Sequence, residues 1–130
     1  MTIKKNDSRQ AVVCGYVDIK RADLIAGANK VMELPPGAVV LGANMVVSEA
    51  FNAATTATMS LGDTGNANRY ANALDVRTAG VKAGAMTGYV SRATSDLILT
   101  YAETGAAATA GTARLYVQYI VEGKTQFTQG

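Results

Sequence analysis

Alternation of apolar and polar residues is the dominant pattern along this chain, and it predicts β-strands. The clearest run lies near the C-terminus, where every second residue is apolar: Ala113, Leu115, Val117, Tyr119 and Val121. Arg114, Tyr116 and Gln118 lie between them and are expected on the outer face. A period of two over such a length is typical of a strand with one buried face.

The stretch from Leu34 to Asp63 organises the predicted fold as a strand pair, with a loop at 51–56 between the two strands. Pro35-Pro36-Gly37 opens it with a turn, because proline fixes φ and has no amide donor. The first strand is predicted to bury alternate residues: Val39, Leu41, Ala43, Met45 and Val47. The returning strand is predicted to bury three more: Ala57, Met59 and Leu61.

Shorter alternating segments predict the other strands, at 11–19, 30–34, 69–77, 85–91 and around 97–101. The residues from Arg21 to Asn29 fit either one helical turn or a loop. A loop is expected from Thr78 to Gly84, and a hairpin loop from Thr104 to Gly111. About eight strands without a long helix predict an all-β fold, an antiparallel two-sheet β-sandwich or jelly roll.

A length of 130 residues fits one domain. We expect an N-terminal arm at 1–10, a β-sandwich domain at 11–122 and a C-terminal tail at 123–130. Charged residues make up 17% of the chain, below the usual quarter for soluble domains. A weakly charged surface suits a protein whose faces are covered by neighbours, and it also suits a small secreted β-domain.

The residue types that most catalytic sites need are missing. The sequence has no His, which excludes His-based zinc sites and Ser-His-Asp or Cys-His triads. Cys14 is the only cysteine, so no intramolecular disulfide is possible, and in the run AVVCGYV it is expected to pack as a small apolar residue. No spacing marks a pair of carboxylates. We therefore expect no enzyme activity, no metal and no cofactor.

The segment LGDTGNANRY admits three interpretations. Asp63, Asn66 and Asn68 could offer oxygen ligands to calcium, but their spacing does not match an EF-hand. A phosphate-binding loop would need a Lys-Ser/Thr pair and a following helix. The preferred interpretation is a tight turn in which Asp63 and Asn66 accept hydrogen bonds from nearby amides and Gly65 has a positive φ.

The formal net charge of +2 does not indicate a nucleic-acid partner. Five of the twelve basic residues lie near the N-terminus: Lys4, Lys5, Arg9, Lys20 and Arg21. They fit either a solvated terminus or an arm that reaches across an acidic neighbouring surface. The first ten residues lack the apolar segment of a signal peptide, and no run is long enough for a membrane helix, so synthesis in a cytoplasm and no membrane partner are expected.

Three segments resemble small jelly-roll decoration, or cement, proteins of tailed-bacteriophage capsids. In that family a Leu-Pro-x-Gly-Ala-x-Val turn and strand precede Val-Gly-Asp and Arg-Tyr, and an Ala-Gly-x-x-Arg strand with Val-x-Tyr closes the fold. The matching residues are Leu34, Pro35, Gly37, Ala38, Val40, Leu61, Gly62, Asp63, Arg69, Tyr70, Ala110, Gly111, Arg114, Val117 and Tyr119. The likeness covers about residues 31–121, and Leu61 stands where the family has Val.

The resemblance implies a virion structural protein that binds the outside of the head and stabilises contacts between major capsid subunits. It also implies a homo-oligomer, a dimer or a trimer, made in the host cytoplasm and located on the capsid surface. The candidate capsid-contact arm comprises five residues: Thr2, Ile3, Lys4, Lys5 and Arg9. Two alternatives are a tail- or fibre-associated protein and a carbohydrate-binding module that would use an exposed tyrosine such as Tyr116.

Overall fold

Two antiparallel four-stranded sheets form the protein in a computed structural model that describes residues 12–122. The predicted all-β sandwich is therefore confirmed. The strands are β1 (Val13–Lys20), β2 (Gly27–Leu34), β3 (Ala38–Glu49), β4 (Thr56–Gly62), β5 (Ala71–Asp75), β6 (Gly80–Ala83), β7 (Ser95–Thr104) and β8 (Thr112–Val121). A single 3₁₀ turn, Arg21–Asp23, follows β1, as one of the two alternatives for this segment predicted.

The strand order is that of a jelly roll. The first sheet has the order β1-β8-β3-β6 and the second β2-β7-β4-β5, so that only β4 and β5 are consecutive strands of one sheet. Two sequence predictions are corrected by this order. The strands within Leu34–Asp63 lie in different sheets and do not pair, and the loop from Thr104 to Gly111 crosses between sheets and does not close a hairpin.

The core lies between the sheets and is built mainly from aliphatic side chains, with one fully buried phenylalanine, Phe51. The largest fully buried side chains are Phe51, Met45, Met59, Leu61, Leu97, Leu99, Leu115, Val47, Val76 and Val117. The alternation predicted for β4 is confirmed, and that for β8 is confirmed from Ala113 to Val117, since Met59 and Leu115 are buried and their sequence neighbours are more exposed. Tyr119 and Val121, also predicted to face inward, are half-buried. Burial of this apolar surface is the main favourable contribution to folding.

The turn before β3 follows the predicted chemistry. The amide of Ala38 donates to the carbonyl of Pro35 at 3.2 Å, and Gly37 has φ 81°. Proline followed by glycine at the two central positions is typical of a type II turn, because the second position needs a positive φ. The double proline therefore ends β2 and sets where β3 begins.

The predicted inward face of β3 is wrong in its first half. Val40 pairs with Tyr119 and Gly42 with Gln118, so that Leu41 is an extra residue without a partner on β8. This bulge reverses the alternation, because one inserted residue moves the following side chains to the opposite face. Val40 is consequently buried at 3% exposure, whereas Leu41 is 47% exposed.

Alanine substitutions on either side of this bulge should have very different effects. Val40→Ala is expected to lower the free energy of unfolding by about 2 kcal/mol, because it leaves a cavity in the core. Leu41→Ala should change it by less than about 0.5 kcal/mol, since the side chain is largely in solvent. Urea denaturation measures the free energy of unfolding of both variants. Equal losses of stability in the two variants would contradict a bulge at Leu41.

Three further predictions are wrong. The predicted loop at 78–84 contains strand β6, which pairs with β3 through contacts such as Val46 with Val81. The predicted strand at 85–91 makes only an isolated bridge, between Val90 and Val39. Cys14 is exposed on β1 and does not pack in the core.

Candidate interaction surface

The outer side of the first sheet carries two neighbouring tyrosines around an ion pair. Tyr16 on β1 lies opposite Tyr116 on β8, with ring centroids 6.2 Å apart. Asp18 and Arg114 are the next outward pair, joined by two hydrogen bonds at 2.5 and 3.0 Å. The Arg114 guanidinium lies 4.5 Å from the centre of the Tyr16 ring. These four side chains therefore form one contact group.

The two-point pairing orients the Arg114 side chain. Its hydrogen bonds lower the pKa of Asp18 below the usual range, and Asp18 in turn raises the pKa of Arg114. The two side chains are 55% and 42% exposed, so this ion pair adds little to stability in water. Its main effect is to hold a planar guanidinium against an aromatic ring at the surface.

Aliphatic side chains extend this group across the sheet. Val46 lies beside Arg114, and Val81 on β6 continues the row at 67% exposure. A shallow depression of about 280 Å³ is formed by residues of β1, β3 and β8, among them Asp18, Val46 and Arg114. We give the name aromatic face to seven of the outward side chains of this sheet: Tyr16, Asp18, Leu41, Val46, Val81, Arg114 and Tyr116.

The outer side of the second sheet is chemically different. Along its two central strands it presents mainly small side chains, Thr56, Thr58, Ser60, Thr100, Ala102 and Thr104, with the half-buried Ile98 as the exception. Of the seven exposed large hydrophobic residues in the described part of the chain, three belong to the aromatic face, Tyr16, Leu41 and Val81, and none lies in a strand of the second sheet. Because Tyr and Arg are enriched in protein interfaces, the aromatic face is the better candidate for a contact surface.

The turn after β4 confirms part of the interpretation of LGDTGNANRY. Asp63 accepts hydrogen bonds from the amides of Gly65 and Asn66, both at 2.9 Å, and the Asn66 side chain accepts one from Asn68. Gly65, however, does not have the predicted positive φ. The Asp63 oxygens also bind Arg69, at 2.5 and 3.2 Å, which sequence reasoning did not predict.

This arrangement occupies both carboxylate oxygens of Asp63, and the turn interpretation accounts for all three polar residues. Burial alone would raise the pKa of Asp63, but the hydrogen bonds from Arg69 and the two amides outweigh it and lower the pKa. The Arg69 guanidinium stacks on Tyr89, 3.5 Å from the ring centre. The group therefore ties the 63–70 turn to the segment before β7.

A third ion pair, between Arg21 and Glu103, lies at the other end of β4 and β7 from Asp63. Glu103 accepts hydrogen bonds from Arg21 at 2.7 Å, from the Tyr101 hydroxyl at 2.6 Å and from the Ala108 amide at 2.9 Å. We call these four residues the corner cluster. These hydrogen bonds, above all the one from Tyr101, lower the pKa of Glu103 to about 2. Burial, together with the nearby Glu103 carboxylate, raises the pKa of Tyr101 to about 12.

The candidate arm residues predicted from the sequence, Thr2, Ile3, Lys4, Lys5 and Arg9, lie outside the described residues, as do the predicted tail positions 123–130. Within residues 12–122, no group of three or more His, Cys, Asp or Glu side chains is placed to hold a metal ion. No helix in that range is long and apolar enough to cross a membrane.

Comparison with solved structures finds the same fold in assembled phage capsids. A chain of the cyanophage Pam1 capsid asymmetric unit superposes with a TM-score of 0.68 and 25% identity, covering 91% of this chain and 96% of that one. The chain has the fold of a capsid component. The acid-stable capsid of Helicobacter pylori bacteriophage KHP30 contains another match, with a TM-score of 0.69, 16% identity and coverage of 88% and 90%.

The capsid of Ralstonia phage GP4 contains a third matching chain, with a TM-score of 0.66 and 19% identity, covering 95% of this chain and 93% of that one. No family model matches the chain. No curated protein matches it with significance. The likeness thus rests on three-dimensional structure over nearly the whole length of each chain.

Proposed function

We propose that this protein is a non-enzymatic structural component of a bacteriophage virion. The observation that carries the proposal is the match to a chain of the Pam1 capsid asymmetric unit, which covers 91% and 96% of the two chains at 25% identity. The matches to the KHP30 and GP4 capsids support the same fold. A β-sandwich with an interface-like outer face suits this role.

The more specific role that we propose is decoration of the head. In this role the protein binds the outside of the assembled lattice and bridges major capsid subunits. A protein that binds the assembled lattice and not its separated subunits stabilises the lattice by mass action. Many copies with modest individual interfaces add up over a shell, so no single contact has to be strong.

The aromatic face is the surface that we assign to this contact. It offers aromatic and aliphatic area from Tyr16, Tyr116 and Val81, and its central charges, Asp18 and Arg114, already neutralise each other. A neutral patch of this kind can be covered without burying an unpaired charge. The arm residues Thr2, Ile3, Lys4, Lys5 and Arg9 are proposed to add a second contact by strand addition.

Binding to expanded heads that lack this protein tests the assignment. Tyr116→Ala removes an aromatic ring from the centre of the face and should weaken binding at least about tenfold. Thr100→Ala, on the outer side of the second sheet, is the matched control and should leave binding unchanged. Deletion of residues 1–9 should also weaken binding if the arm contributes.

The measurement is co-sedimentation of purified protein with the heads over a range of concentrations. Equal binding of the Tyr116 and Thr100 variants would contradict the assigned face. Electron microscopy of virions that placed this chain only in the tail would contradict decoration of the head and favour the tail- or fibre-associated alternative. Binding to a glycan array that is lost in the Tyr116 variant would instead favour a carbohydrate-binding module.

A further inference from the structure

Four strands form the edges of the two sheets, and three of them have features that discourage pairing with another chain. Strand β2 has an irregular register between Lys30 and Met32. Strand β5 has five residues and includes Ala73 at φ 48°, and β6 has four residues and begins with Gly80 at φ 126°. Bulges, short length and distorted backbone are the usual means by which proteins protect a sheet edge.

Strand β1 has none of these features. Its eight residues pair with β8 in unbroken register, from Val13 with Tyr119 to Lys20 with Thr112. Its other side has no partner strand within residues 12–122. A regular edge of this length exposes a row of unpaired backbone donors and acceptors, and such an edge readily accepts another strand.

A depression of about 200 Å³ lies beside this edge. Four apolar residues line it, Val17, Ile19, Leu24 and Val31, together with four polar ones, Asp18, Asp23, Asn29 and Lys30. Val13 is 46% exposed although it pairs with Tyr119 and so lies on the core-facing side of β1. Both features would be covered by a strand added at the edge.

We propose that the free edge of β1 pairs antiparallel with β1 of a second copy of this chain, around a two-fold axis beside Tyr16. This register places Tyr16 opposite Tyr16 of the second copy and uses the whole strand. Residues directly opposite in an antiparallel pair share a face of the sheet. Val13 of each copy then lies opposite Ile19 of the other, which lines the depression.

The charges favour a second copy as the occupant. In the proposed register Asp18 lies opposite Cys14 and Lys20 opposite Val12, so that no like charges face each other. Asp18 is also already paired with Arg114 on its own sheet. A two-fold contact requires such a self-complementary surface. The two first sheets would join into one eight-stranded sheet and bring two aromatic faces side by side.

Sedimentation velocity of the purified full chain tests this pairing. The native chain should sediment as a dimer at micromolar concentrations. Tyr16→Lys should raise the dissociation constant at least about tenfold, because it places two ammonium groups opposite each other. Val81→Lys, at the far edge of the same sheet, is the matched control and should leave the dimer intact. Both side chains are exposed, at 60% and 67%, so both variants should fold, as circular dichroism will verify.

A second measurement locates the axis directly. In a Cys14→Ser background, Tyr16→Cys should form a disulfide-linked dimer on mild oxidation, whereas Val81→Cys should not. A monomer at all concentrations, a trimer, or a dimer dissolved by Val81→Lys and not by Tyr16→Lys would overturn the proposal. A chain that forms this dimer but does not bind heads would contradict the proposed function and leave the pairing in place.

Discussion

Replacing Gly62 with alanine is expected to lower the free energy of unfolding by about 3 kcal/mol, because the added methyl group has no space. A Cβ at this position would lie 2.1 Å from the carbonyl oxygen of Asn66 and 2.4 Å from the carbonyl carbon of Ala67. Both atoms belong to backbone and cannot rotate away. The 63–70 turn would therefore have to move off the end of β4.

That movement would break the contacts that hold the turn. The amide of Asp63 donates to the carbonyl of Asn66 at 3.0 Å, and the Asp63 side chain binds Arg69. Gly42→Ala is the matched control, since its Cβ would meet only the flexible end of Gln118, at 3.4 Å. Denaturant midpoints compare the two variants. A Gly62→Ala protein as stable as the control would mean that the turn does not approach β4 so closely.

Glu103→Gln should lower the free energy of unfolding at neutral pH by about 2 kcal/mol, since hydrogen bonds to a charged group are lost or weakened in a part-buried site. The side chains of Arg21 and Glu103 are 21% and 19% exposed, so solvent screens this ion pair less than one on the open surface. Arg21 would lose its anionic partner. Tyr101 and the Ala108 amide would donate to a neutral oxygen.

The pH dependence distinguishes this effect from a simple packing defect. The pKa of Glu103 falls from 4.5 to about 2 on folding, so its carboxylate stabilises the fold above pH 4.5. That contribution is lost as the pH falls from 4.5 towards 2. In the variant, the free energy of unfolding should therefore vary less over this range, although Asp18 and Asp63 will still contribute.

Thermal unfolding at a series of pH values measures this difference. Glu33→Gln is the control, because Glu33 is exposed on β2 and lies outside the corner cluster. The free energy of unfolding of the Glu33→Gln variant should change with pH in the same way as that of the native protein. Parallel curves for Glu103→Gln and the native protein would show that Glu103 contributes nothing through its charge.

The sequence predicted those features that depend on nearby residues. Alternation defined β4 and β8, the Pro-Gly pair defined the turn before β3, and the side chain of Asp63 reaches amides only two and three residues away. These interactions are local, so composition and spacing suffice to recognise them. The predicted number of strands agrees with the structure only because the missed strand β6 offsets the strand wrongly predicted at 85–91.

Features that depend on distant partners could not be predicted. Leu41 is exposed because its strand bulges against β8, and GVKA at 80–83 is a strand because it pairs with β3. Neither segment has a local pattern that indicates its environment. The exposure of Cys14 likewise follows from the position of β1 at a sheet edge, which the apolar run around it does not indicate.

The candidate interaction surface depends on contacts between residues that are far apart in the sequence. Asp18 and Arg114 are 96 positions apart in the chain, and only the pairing of the first strand with the last brings them together. Alternation placed Arg114 and Tyr116 on the outer face of β8. It could not show that Tyr16 would join them, because that requires the register between β1 and β8.

The order of the strands has a consequence for synthesis. Strand β8 lies between β1 and β3, and β7 lies between β2 and β4, so each sheet is completed by a strand translated late. Before then only β3 with β6 and β4 with β5 can pair, and the many distant contacts make folding slow. A chain that lacks β7 and β8 therefore has no intact sheet, and the first sheet can be completed only after β8 leaves the ribosome.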